Sequence, residues 1–170
     1  HLRLNDIKIP SPENRNKSLL KFCSKKFKTI YFSTGAAKIN EIKKSYDVIK
    51  KNKTYIMHCV SSYPCDDKNV NLKRVEQLKK ISPLIGLSDH TPDILSSLYA
   101  LPLGVGIIEK HFTINNKLPG RDNKFAILPR DLRDLRTKVD RFISMQINVK
   151  KFIKAETEVR KIYSGRWNKT

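Results

Sequence analysis

Five short apolar runs set what this chain can fold into: 7–10, 29–32, 55–60, 84–87 and 106–112. Several are continuous rather than alternating, the pattern of parallel strands buried on both faces. They recur every 22 to 30 residues or so, a spacing that fits repeated βα units. Each run ends in polar side chains. Lys8, Ser11 and Glu13 close the first, and Ser33, Thr34 and Gly35 the second. His58, Ser61, Ser62 and Tyr63 close the third, and Ser88, Asp89 and His90 the fourth. Glu109, Lys110, His111 and Thr113 close the fifth. In a parallel α/β barrel the C-terminal ends of all strands share one face, and the active site lies there. An open doubly wound sheet would also bind ligands at strand ends, but no GxGxxG or P-loop pattern follows any run.

Helix-length segments fill the gaps between runs. Segment 16–26 carries Leu19, Leu20 and Phe22 beside Cys23, and segment 36–51 places Ile39, Ile42, Tyr46, Val48 and Ile49 at helical spacing. Segment 71–81 has a clean stripe of Leu72, Val75, Leu78 and Ile81. Segment 92–101 is almost wholly apolar apart from Asp93 and its serines, so it is expected to be well buried. At Pro129-Arg130-Asp131 the pattern changes to a helix start. A charged helix is predicted to about residue 147, with Leu132, Leu135, Val139, Phe142 and Ile143 on one face. The basic segment after it reads as a helix extension followed by a linker or tail.

The formal net charge of +19 taken alone points to nucleic acid or another anionic surface. The excess is mostly Lys spread through helix-like segments that are also rich in Asn and Ile, such as Lys38-Ile39-Asn40-Glu41-Ile42-Lys43-Lys44. That combination is what a coding bias toward A and T gives. The aromatics are not interleaved with basic residues as they are in single-strand binders. We therefore read the charge as solvated helix faces and expect no nucleic-acid partner. No apolar run approaches the roughly 18 residues of a membrane span, so no membrane is expected either. Cys23, Cys59 and Cys65 are odd in number and form no CxxC. A disulfide framework is therefore not expected, and a reducing, cytoplasmic setting is.

Two histidines, His90 and His111, end neighbouring runs 21 residues apart with one predicted helix between them. Adjacent barrel strands lie about 4.8 Å apart, so the pair can share one metal ion; two separate capping histidines is the other reading. Lys8, Ser11, Ser33, Ser61 and Ser88 stand at four successive strand ends. Together they can donate to a phosphate or carboxylate, although any one serine alone reads more readily as a helix cap. Glu13 can accept from a sugar hydroxyl or act as acid or base, or can be a turn carboxylate. Glu109 lies two residues before His111, on the same strand face. Asp122 sits in a loop after the last run.

Six segments in order resemble the sialic acid (N-acetylneuraminate) synthase family, meaning the N-acetylneuraminate, legionaminate and pseudaminate synthases and related spore-coat polysaccharide proteins. They are IKIPSPE (7–13), STG (33–35), HCVSSYP (58–64), GLSDHT (86–91), EKHFT (109–113) and LPGRD (118–122). The family fold is a (β/α)8 TIM barrel followed by a small antifreeze-like domain. The resemblance implies that this α/β chain is a partial barrel, about strands four to eight. Residues 1–147 would be the C-terminal part of the NeuB-like catalytic domain, 148–170 a basic helix extension or tail, and the antifreeze-like domain is not recognisable. Half a barrel leaves two open sheet edges, so the sequence is expected to belong to a longer protein and to be inactive by itself.

The resemblance further implies condensation of phosphoenolpyruvate with N-acetylmannosamine or a related N-acetylated amino sugar. His90 and His111 match metal ligands, with Mn²⁺ or Mg²⁺ the expected ion. Lys8, Ser11, Ser33, Ser61 and Ser88 match the phosphoenolpyruvate site, and Glu109 is assigned to the substrate site beside them. Glu13, Tyr63 and Asp122 match contacts to the acceptor sugar. Glu13 and His111 are the candidate catalytic residues, and Arg121 stands where Pro is common in the family. Dimers are frequent there, which makes a homodimer the expected assembly. Other readings are a phosphoenolpyruvate-dependent synthase of another 3-deoxy sugar acid, an inactive barrel fragment, or a basic binding module.

Overall fold

The computed structural model describes residues 4–167. Five strands form one parallel sheet: β1 (Asp6–Ile9), β2 (Thr29–Ser33), β3 (Lys53–Cys59), β4 (Ile85–Asp89) and β5 (Ile107–Lys110), in that spatial order. Helices α1 (Lys17–Lys26), α2 (Ile39–Ile49), α3 (Arg74–Lys79) and α4 (Leu95–Ala100) connect successive strands. Helices α5 (Pro129–Met145) and α6 (Lys154–Tyr163) follow. Each strand is added beside the last, so the winding never reverses as it does in a doubly wound sheet. Among the described residues, no helix is long and apolar enough to cross a membrane.

The sheet is strongly curved. β1 and β5 are its two edges, and at the usual strand spacing a flat sheet would hold them about 19 Å apart. Yet Lys8 of β1 reaches Glu109 of β5 at 2.6 Å, across a gap that the two side chains together could not span on a flat sheet. The architecture is a five-stranded parallel half-barrel, with the α/β repetition expected from the apolar runs.

Side-chain alternation divides the strands between two tasks. Ile9, Ile30, Phe32, Ile56, Ile85 and Leu87 pack against Leu20 and Cys23 of α1, Ile42 and Ile49 of α2, Val75 and Leu78 of α3, and Ala100 of α4. This is the core. Lys8, Ser33, Cys59, Ser88 and Glu109 occupy the alternate positions, on the face that the helices do not cover, and Cys59, Ser88 and Glu109 follow one another across three strands in register. His58, by contrast, has the parity of the core. It is fully buried and its Nε2 lies 2.7 Å from the Val70 carbonyl, so this strand-end histidine is a framework residue.

Three expectations are corrected. Segment 92–101 is not uniformly buried: Tyr99 is 67% exposed and Leu95 47%, while Ser96 and Ser97 face inward. The reason is a buried carboxylate, Asp89, which accepts from both serine hydroxyls. The stripe predicted over 71–81 forms regular helix only over Arg74–Lys79, because Asn71 adopts a left-handed conformation at φ 51°. The fifth run is a strand only to Lys110; Phe112 instead bridges to Ile127 and is 49% exposed.

The chain divides into two compact units, the first running to Val139 and the second starting at Asp140. Of the apolar stripe predicted for α5, Leu135 is buried whereas Leu132 and Ile143 are exposed. After Met145 the chain leaves helical conformation until Lys154, so α6 is a separate helix. Within the second unit, Arg160 stacks on the Phe152 ring at 5.5 Å.

Candidate active site

The C-terminal strand ends gather two groups of side chains. The first centres on Glu109. One of its oxygens, Oε1, meets Lys8 Nζ at 2.6 Å and accepts from the Ser88 hydroxyl at 2.6 Å. Burial acts to raise the Glu109 carboxyl, but the Lys8 and Ser88 hydrogen bonds and the Lys8 charge outweigh it and hold the group below the usual carboxylate range.

Next to this lies a cradle of small donors. Ser11 Oγ accepts the Gly35 N–H at 3.0 Å and stands 3.4 Å from Cys59 Sγ. A Cβ on Gly35 would collide with both Ser61 Oγ and Ser11 Oγ, so only glycine lets these two hydroxyls converge. The buried Asn14 amide donates to the Gly35 carbonyl at 3.1 Å and fixes the peptide plane. The Arg74 guanidinium donates to the Ala37 carbonyl and holds the same loop from the other side. Ser33 Oγ is buried and has no hydrogen-bond partner among the described residues. Buried hydroxyls are rarely left unmatched, and this one suits a polar ligand.

The second group is aromatic. The His90 and His111 ring centroids lie 5.4 Å apart. Tyr63, which precedes a cis bond to Pro64, sits 4.1 Å from the His90 ring and 5.8 Å from that of His111. Phe125 closes the cluster, 5.2 Å from His111. His90 Nδ1 lies 2.7 Å from the Val60 carbonyl, which makes Nδ1 the protonated nitrogen and leaves a lone pair on Nε2, which faces the Ser88 hydroxyl at 3.5 Å. Burial, with a contribution from His111, pushes the His90 pKa below the usual histidine value. Burial also raises the Tyr63 phenol. Asp122 Oδ2 stands 3.7 Å from His111 Nδ1. Its loop is closed by Ile127 N–H donating to the His111 carbonyl at 2.9 Å and by the Asn116 amide donating to Asn123 and Ala126 carbonyls.

His90 and His111 are therefore the residues that could hold a metal ion. A neutral imidazole with its second nitrogen tied to a backbone carbonyl is the form that ligates metals. Among the described residues, no group of three or more His, Cys, Asp or Glu side chains converges for this purpose.

The fold thus brings together Lys8, Ser88 and Glu109, then Ser11, Ser61 and Gly35, then Tyr63, His90, His111 and Asp122. Glu13 lies in a 3-10 turn at Ser11–Glu13, where its carboxylate accepts from the Asn16 amide at 2.7 Å. Phe125, Asn14 and the buried pair Asp89–Lys110 were not among the predicted site residues. The last two had a signal: they are the out-of-phase neighbours of His90 and His111.

Comparison with known proteins identifies the family and matches the fold. The chain is 38% identical over 162 residues to the N,N'-diacetyllegionaminic acid synthase of Campylobacter jejuni, covering 91% of this chain and 48% of that protein. It is 32% identical over 137 residues to the pseudaminic acid synthase of the same species, covering 78% of this chain and 39% of that protein. The crystal structure of an N-acetylneuraminic acid (sialic acid) synthetase from Leptospira borgpetersenii, in complex with citrate, superposes with a TM-score of 0.82 at 30% identity. That match covers 94% of this chain and 58% of the other. The chain thus spans about half the length of these relatives. The sequence profile of the NeuB family matches residues 1–151, and the chain belongs to that family.

Proposed function

We propose that this chain supplies the catalytic face of a synthase that condenses phosphoenolpyruvate with N-acetylmannosamine or a related N-acetylated amino sugar, giving a nonulosonic acid and phosphate. In this reading its strands are the fourth to eighth of a (β/α)8 barrel. The observation that carries the proposal is the placement of an anion cradle and a histidine pair side by side on one rim of a parallel half-barrel.

Lys8 and the Ser11, Ser33, Ser61 and Ser88 hydroxyls hold the phosphate and carboxylate of phosphoenolpyruvate, and the Gly35 N–H fixes the Ser11 hydroxyl. An anion on Lys8 shares the ammonium with Glu109, whose ionised carboxylate and Ser88 partner keep the lysine aimed across the rim. Tyr63, Asp122 and Glu13 orient the acceptor sugar, and Glu13 positions or moves a proton at a sugar oxygen. His90 and His111 would hold Mn²⁺ or Mg²⁺, which supplies Lewis-acid polarisation of the open-chain aldehyde oxygen. Carbon 3 of phosphoenolpyruvate then attacks the aldehyde carbon. Positive charge develops at carbon 2, water adds there, and phosphate leaves with the bridging oxygen.

The test is the complete gene product, given phosphoenolpyruvate labelled with ¹⁸O at the bridging position, N-acetylmannosamine and Mn²⁺. The label is expected in phosphate, and His111→Ala is expected to abolish the metal-dependent turnover. Label retained in the sugar acid, or full activity of the His111 variant, sinks the proposal.

A further inference from the structure

Asp89 and Lys110 each stand one residue from a histidine of the site, yet both point away from it. They are partners in the β4–β5 register and form an ion pair at 3.1 Å, with side chains 1% and 5% exposed. The Asp89 carboxylate also accepts from the Thr91 N–H at 2.9 Å, the Thr91 hydroxyl at 2.8 Å and the Ser97 hydroxyl at 2.6 Å, with the Ser96 hydroxyl on the same oxygen as Ser97. Lys110 Nζ donates to the Thr91 carbonyl at 2.6 Å. Both chain neighbours of His90 are therefore locked, to each other and to β5. The His90 carbonyl accepts the Cys65 N–H at 3.0 Å and its ring Nδ1–H meets Val60, so the segment has no loose end.

Stability alone is a poor reason for such a pair. Burying two charges costs several kcal/mol of desolvation per ion, on the order of what their attraction returns, and apolar replacements are often as stable. What the network specifies uniquely is where His90 stands relative to the strand that carries His111.

We infer that Asp89 and Lys110 are positioning residues that fix where the His90 ring stands beside that of His111 and, through it, the affinity of the histidine pair for a divalent cation. The inference rests on the proposed reading of that pair as metal ligands.

The experiment compares the complete gene product with its Asp89→Asn, Lys110→Met and D89N/K110M variants. Mn²⁺ binding is followed by the EPR signal of the free ion, phosphoenolpyruvate binding by calorimetry in the presence of chelator, and folding by the melting temperature. Lys110→Met leaves a buried charge unpaired and is expected to lower the melting temperature, which the double variant recovers. Mn²⁺ affinity is expected to fall roughly 10- to 100-fold in Asp89→Asn and in the double variant, the usual effect of losing an outer partner of a metal ligand. Phosphoenolpyruvate affinity should change by less than about threefold, because Lys8, Ser11, Ser33 and Ser61 lie on or just after β1 to β3, and Ser88 and Glu109 face the other side of the sheet from Asp89 and Lys110.

A folded double variant with wild-type Mn²⁺ affinity overturns the inference, and so does an equal loss of both ligands. Failure of the metal reading looks different: the wild-type protein itself then binds no Mn²⁺. In that event ¹⁵N-histidine NMR decides. A fixed Nδ1–H tautomer of His90 that becomes mixed in the double variant upholds the positioning role, and an unchanged tautomer ends it.

Discussion

Lys8 and Glu109 are 101 residues apart in the chain and lie on opposite edges of the sheet, yet they share an ion pair of 2.6 Å. The contact shows that the curvature of the half-barrel is read directly by its site. The first-strand lysine proposed to bind phosphate is held by a carboxylate on the last strand, with Ser88 of the strand between them on the same oxygen.

Removing the lysine should therefore be felt at Glu109. In Lys8→Met, the Glu109 carboxyl loses the hydrogen bond and charge of Lys8, and burial is opposed mainly by the remaining Ser88 hydrogen bond. Its pKa is expected to rise toward or above the usual value of about 4.3, as followed by ¹³C NMR of the side-chain carboxyl. Phosphoenolpyruvate affinity is expected to drop at least about tenfold, the scale of one charge-assisted contact. An unmoved carboxyl titration would mean that Lys8 and Glu109 do not pair in solution.

Gly35→Ala places a methyl between two hydroxyls that already occupy the space. The expected result is a loss of about 1–3 kcal/mol of stability from overpacking, together with weaker phosphoenolpyruvate binding. Denaturant titration and calorimetry measure the two effects. Full binding in this variant would show that the Ser11–Ser61 convergence is dispensable.

Helix α4 offers a test that inverts the ordinary rule of polar outside and apolar inside. Ser97→Val removes a hydroxyl that satisfies buried Asp89 and is expected to cost about 1–3 kcal/mol. Tyr99→Ser alters an exposed ring and is expected to stay within about 0.5 kcal/mol of wild type. The reverse order of effects, in paired thermal melts, would mean that α4 packs with its other face inward.

The pH response should carry a histidine signature. Burial disfavours the charged form of His58, so its pKa in the folded protein lies below the ordinary value, which is about 6.5 in an unfolded chain. Between those two values the unfolded chain binds more protons. The contribution is complete above about pH 6.5 and is lost as pH falls toward the folded pKa. Asp89 and Glu109, also held low, contribute above the carboxylate range and lose their share only in stronger acid. Urea titrations from pH 7 to 5 are expected to show a shallower decline for His58→Gln than for the wild type. Identical slopes would remove His58 as a source.

The strands were legible because both faces of each are covered or occupied, so they stand out as apolar runs such as Tyr55-Ile56-Met57-His58-Cys59. The grouping of Lys8, Ser88 and Glu109 followed from their common position at strand ends. Segment 92–101 was misread because apolarity measures what a side chain prefers on average, and the local partner of Ser96 and Ser97 is an anion. Asp89 and Lys110 were not assigned a role because charged residues on the helix-facing side of a strand look out of phase until their register across two strands is known. The Val60 carbonyl that sets the His90 tautomer leaves no trace in the sequence at all, since any residue supplies a carbonyl.

The alternation of β4 makes that strand sensitive to phase as well as to composition. Ser88 and His90 belong to one face and Asp89 to the other. An insertion or deletion of a single residue upstream within the strand would exchange them, since a one-step slip reverses every side chain. A carboxylate would enter the aromatic cluster and an imidazole would face Ser96 and Ser97. Length changes should therefore be tolerated in the loops between elements and not inside β4, which makes this strand a ruler whose unit is one residue.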